Sequence, residues 1–101
     1  MEAAIRHMVA FRLAYAKDDP RTKAFFYNAR RIFEAIPQVK NFMYCYEISA
    51  KNGFDFGFSF DFMTPEDYAA YNRNPDHIRF VNEKWNVEVA DFIEIDFCEF
   101  H

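Results

Sequence analysis

The chain has 101 residues, enough for one domain and too few for two. Hydrophobic residues make up 51% and aromatics 21%, so a core can form without disulfide or metal staples. A net charge of −4 disfavours nucleic acid, whose phosphates demand a basic face.

The N-terminal MEAAIRHMVAF lacks a basic region leading into a long apolar run, so it is not read as a secretion signal. No stretch approaches the ~18 apolar residues of a membrane span. The expected compartment is the cytoplasm. Cys45 and Cys98 form neither a disulfide framework nor a metal pattern and read as small core residues.

Residues 5–13, IRHMVAFRL, alternate as a strand. One face carries Ile5, His7, Val9, Phe11 and Leu13. The other carries Arg6, Met8, Ala10 and Arg12. Asp18, Asp19 and Pro20 then signal a helix start. Apolar residues at three- and four-residue spacing, Phe25 or Phe26, Ala29, Ile32 or Phe33, and Ile36, extend the helix over 20–36, and Pro37 stops it.

A second strand is predicted over 39–49, with Phe42, Tyr44, Tyr46 and Ile48 on one face and Met43, Cys45 and Glu47 on the other. Lys51, Asn52 and Gly53 make a turn. A third strand, 54–62, places Phe54, Phe56, Phe58, Phe60 and Phe62 on one side and Asp55, Gly57, Ser59 and Asp61 on the other. Asp61 has a candidate mate in Arg12.

Thr64-Pro65-Glu66-Asp67 starts a short helix that ends near Asn72. Asn74-Pro75-Asp76 repeats the signal. The next helix is expected to reach Val89, with Ile78, Val81, Trp85 and Val89 as its buried stripe. Residues 91–99 form the last strand.

The order is β-α-β-β-α-β, a ferredoxin-like α+β arrangement with an antiparallel sheet and helices on one face. Met8, Ala10, Met43, Cys45, Ile93, Ile95 and Phe97 then share the open face. That face is too apolar to stay wet, which predicts a homodimer pairing two sheets face to face.

The segments IRHMVAF, IPQVKNF, FMTPEDYAAYNRNPDHIRF and IEIDF resemble the stress-responsive A/B-barrel domain family, often called Dabb. The similarity runs from Ile5 to Phe97, and Tyr71 through His77 is its most specific piece. The resemblance implies a dimeric α+β barrel. A family relative, the plant olivetolic acid cyclase, closes a linear polyketide with a histidine and a tyrosine and no metal or organic cofactor. Carried over by motif, the histidine falls on His77, the tyrosine on Tyr71 and a first-strand histidine on His7. A second pocket tyrosine falls on Ala29, a third-strand histidine on Phe56 and an apolar last-strand position on Glu94. The acid/base pair is kept and the walls are changed.

With Asn74 as cap and Pro75 first, His77 is the third helical residue. The positive helix end disfavours imidazolium, leaving a neutral ring able to accept a proton. Tyr71 can donate to a carbonyl oxygen or enolate. His7 and Glu94 should face the helices, and a carboxylate there needs a partner, His7, His77 or Lys84, unless the strand frays or shifts by one residue and places Glu94 in solvent.

The sequence suggests no metal site and no cofactor; His101, as the last residue, adds nothing to one. Two functional readings follow. One is a cofactor-independent enzyme acting on a small hydrophobic, polyketide-like carbonyl compound, walled by Phe26, Phe33, Phe42, Phe56 and Phe58. The other is a non-catalytic stress-related dimer that binds a small hydrophobic ligand or has a filled core. A cavity beside His77 and Tyr71 separates them.

Overall fold

The computed structural model describes residues 4–100, so His101 lies outside the described residues. The chain runs through β1 (Ile5–Leu13), α1 (Pro20–Ala35), β2 (Lys40–Tyr46), β3 (Phe56–Phe62), α2 (Pro65–Arg73) and α3 (Pro75–Phe80). A π-helical turn, Val81–Trp85, and a short helical turn, Asn86–Glu88, lead into β4 (Val89–Cys98). The four strands form one antiparallel sheet in the order β2-β3-β1-β4. This is the ferredoxin-like α+β fold.

The sheet is open. β2 and β4 are its edges and do not pair with each other, so the expected α+β barrel is not what this chain forms. Four strands are too few to close; side-chain-filled barrels need about eight.

The helix starts follow from cap chemistry. Asp19 accepts the Arg21 amide at 2.8 Å ahead of Pro20, and Thr64 accepts the Asp67 amide at 3.1 Å ahead of Pro65. The side chain of Asn74 accepts the amides of Asp76 and His77, which makes His77 the third residue of α3.

The phenylalanine strand supplies the core. Phe56, Phe58, Phe60 and Phe62 are all buried on the helix side, with Val9, Phe11 and Leu13 beside them from β1 and Phe25 and Phe33 above them from α1. Ring contacts tie the layers together: Phe11 lies 4.8 Å from Phe58 and 5.0 Å from Trp85, centroid to centroid. On the opposite face Gly57 permits a close approach of the backbones: a Cβ there would sit 3.3 Å from the Val9 carbonyl oxygen, a tight contact.

Other details depart from expectation. β2 stops at Tyr46, and Ile48 is solvent-exposed. Its register against β3 shifts by one residue between Lys40 and Met43, where Asn41 takes a left-handed φ of 56°. β3 begins at Phe56 instead of Phe54, although the Asp55 amide still donates to the Phe11 carbonyl. Asp61 pairs with Arg6 at 3.1 Å, not with Arg12, because the register sets Arg6 opposite it and Arg12 opposite Asp91. Asn41 also donates to Asp61, and these bonds hold its carboxyl below the usual range.

The π turn alters the last helical face. The Asn86 amide reaches back five residues to the Val81 carbonyl. That extra residue brings Phe80 and Trp85 to the same buried side and leaves Ile78 45% exposed, where regular spacing had placed it inside.

Candidate functional site

α2 ends at Arg73 and α3 restarts at Pro75, with the Asn74 amide donating to the Tyr71 carbonyl at 3.1 Å. This tight junction folds the phenol of Tyr71 onto the imidazole of His77. Their ring centroids are 3.9 Å apart at 34°. Both rings line a cavity of about 260 Å³ between the sheet and the helical layer. His7, Phe33, Phe58 and Phe60 also line it, as do Phe80, Trp85, Phe92 and Glu94.

His77 is the unusual group. Its Nδ1 is buried and has no hydrogen-bond partner among the described residues. Burial pulls the imidazole down to about 4, with the nearby His7 adding to the effect and the Tyr71 backbone opposing it. The ring is neutral at pH 7, as expected, but desolvation and not the helix end is the main cause. Tyr71 is shifted upward, first by burial and then by the field of Glu94, so its phenol keeps its proton.

His7 is buried on β1 and held by a partner the sequence did not single out. Its Nδ1 lies 2.5 Å from Asp96 Oδ1, directly across the β1–β4 ladder. The Tyr68 hydroxyl donates to Asp96 Oδ2 at 2.8 Å and lies 3.3 Å from His7 Nδ1. Burial, then the bond to Asp96, raises the Tyr68 phenol. A carboxylate at Nδ1 fixes the imidazole with its proton there and leaves Nε2 as the acceptor. This His7–Tyr68–Asp96 network borders the cavity through His7.

Glu94 lines the mouth of the cavity from β4, opposite Val9, but it is solvent-exposed and not covered by the helices, so it needs no partner and makes no ion pair among the described residues. The expected pairing of Glu94 with His7, His77 or Lys84 is therefore absent; Asp96, two residues along the same face, takes His7 instead. Asp96 shares the strand parity of Glu94, and the β1–β4 register sets it directly opposite His7.

The expected phenylalanine walls divide. Phe33 and Phe58 line the cavity. Phe42 packs on Phe33, with ring centroids 5.2 Å apart, and fills the layer behind. Phe26 and Phe56 line a different groove, between α1 and β2. Ala29 is fully buried. Trp85, Phe80 and Phe92 were not named as walls, and the π turn is what brings Trp85 there. Among the described residues no group of three His, Cys, Asp or Glu side chains is placed to hold a metal ion.

A model of the Stress responsive A/B Barrel Domain family matches residues 5–99. No curated protein matches the chain. A Dabb family protein from Mesorhizobium loti, with a ferredoxin-like fold, is 38% identical over 99% of this chain and 100% of its own, with a TM-score of 0.97. A dimeric ferredoxin-like protein of unknown function from Thermobifida fusca is 23% identical, covering 96% of this chain and 92% of that one, with a TM-score of 0.77. A hydroxynitrile lyase from Passiflora edulis shares the fold at 13% identity, covering 98% and 95%, with a TM-score of 0.84.

Proposed function

The chain belongs to the Stress responsive A/B Barrel Domain family, and from that premise we propose that it is an enzyme moving a proton on a small hydrophobic carbonyl compound. The observation that carries the proposal is the buried, unpartnered Nδ1 of His77, stacked against Tyr71 at the wall of a cavity. An orphaned acceptor in a ring-lined space is a cost that a substrate proton would relieve.

In this reading Nδ1 of His77 accepts a proton from a carbon next to the carbonyl, or from a hydroxyl. The Tyr71 phenol donates to the oxygen where negative charge develops. His7, fixed by Asp96, adds a second imidazole at the wall. An imidazole held at about 4 is a weak base, so the substrate proton must be acidic, as it is between two carbonyls. These groups supply acid and base without a cofactor. The cavity falls below the ~300 Å³ at which pockets for drug-sized ligands begin, which points to a small compound.

The low basicity of His77 supports a second reading, a family member that binds a small hydrophobic ligand without turning it over. In either reading the protein works as a homodimer. Met8, Met43, Ile93, Ile95 and Phe97 leave an exposed apolar sheet face, and the Thermobifida fusca relative is described as dimeric. We further propose a single domain in the cytoplasm, where the two free cysteines, Cys98 exposed, stay reduced. Among the described residues no helix is long and apolar enough to cross a membrane.

A thermal-shift screen of small aromatic ketones and diketones tests the proposal. A ligand at ten times its Kd adds about 1.4 kcal/mol, or several degrees in a chain of this size. The shift should disappear in His77→Ala. A shift that persists in both His77→Ala and Tyr71→Phe would place the ligand elsewhere.

A further inference from the structure

We infer that Glu94 sets the charge of the molecule the cavity accepts: the site takes a small aromatic carbonyl compound that also bears an ammonium group and turns away carboxylic acids. This rests on the reading of the cavity as the functional site. Glu94 is the only carboxylate among the lining residues, and no lysine or arginine is among them. It stands at the exposed mouth of the cavity with no cation partner among the described residues, whereas Asp61 has Arg6 and Asp55 has Lys17.

The rest of the lining is aromatic. Trp85 and Phe92 meet edge to face at 5.4 Å, and Phe92 precedes Glu94 on the same side of β4. Ring faces attract an organic cation, and a carboxylate beside them completes the recognition. The two imidazoles do not compete for Glu94, because His7 is engaged by Asp96 and His77 is neutral. The same field of Glu94 that helps keep Tyr71 protonated would repel a second carboxylate in so small a space.

The test uses three matched probes, benzylamine, benzyl alcohol and benzoate, titrated into the intact protein while the Trp85 and His77 NMR signals are followed. A charge-assisted hydrogen bond makes benzylamine roughly tenfold tighter than benzyl alcohol or better, with benzoate weakest. In Glu94→Gln, which keeps the shape, benzylamine should weaken to the level of benzyl alcohol. Equal affinity for benzoate and benzylamine, or an unchanged preference in Glu94→Gln, overturns the inference. If none of the three moves either signal, both the inference and the cavity reading fail. If the charge preference holds while His77→Ala leaves proton transfer unchanged, Glu94 stands and the catalytic reading alone falls.

Discussion

Acidifying the solution should destabilise the protein through His77 in a defined window. The folded imidazole titrates at about 4 and the free one at 6.5. Above pH 6.5 the ring is neutral in both states and contributes no pH dependence. Between 6.5 and 4 the unfolded chain binds a proton that the folded chain refuses, so stability falls as pH drops through this window. Below 4 the loss is complete. At 1.36 kcal/mol per pH unit the full difference is about 3 kcal/mol, and partial exposure of the ring reduces it to roughly 2 kcal/mol. Urea unfolding at pH 7.5 and pH 4.5 measures it, with His77→Leu as the control. Leucine also removes the orphaned Nδ1, so that variant should be no less stable at pH 7.5 and should lack the extra loss. Parallel losses in the two proteins, or an NMR titration of His77 centred near 6.5, would refute the burial argument.

Other outcomes follow from the same geometry. If His77 is the base, kcat/KM for an acidic carbon substrate should be flat through neutral pH and fall with a midpoint near 4, with no alkaline fall below pH 10 because Tyr71 is shifted upward. Asp96→Asn should leave thermal unfolding within about 2 kcal/mol of the wild type while changing the His7 tautomer, visible in its ring nitrogen shifts. Phe60→Ala, removing a ring 1% exposed in the middle of the core, should cost about 3–5 kcal/mol in urea unfolding. Sedimentation should give a dimer for the wild type and a 12.1 kDa species for Ile95→Asp on the exposed sheet face.

Where the chain states its structure locally, the sequence was readable. The alternation of Phe56 through Phe62, the Asp19-Pro20 and Thr64-Pro65 starts and the Asn74 cap depend on near neighbours, and each took its expected place. The junction that joins Tyr71 to His77 is of this kind. Features set by distant packing were not readable. The left-handed Asn41 and its bulge are fixed by how β2 lies on β3. The π turn reconciles Phe80 and Trp85 with one buried face, and nothing in VNEKW announces it. The choice between Glu94 and Asp96 as the partner of His7 turns on the β1–β4 register, which alternation leaves open. The sorting of the phenylalanines between cavity and core depends likewise on three-dimensional neighbours, so Phe26 and Phe56 fell to another groove.

The central claim is that the cavity under His77 and Tyr71 moves protons. Deuterium exchange at the acidic carbon of a small diketone, benzoylacetone, followed by NMR in D2O, tests it most directly. Exchange should be faster than in buffer, reduced roughly 10²- to 10⁴-fold in His77→Asn, and reduced also in Tyr71→Phe. Exchange no faster than buffer, or undiminished in both variants, would contradict it.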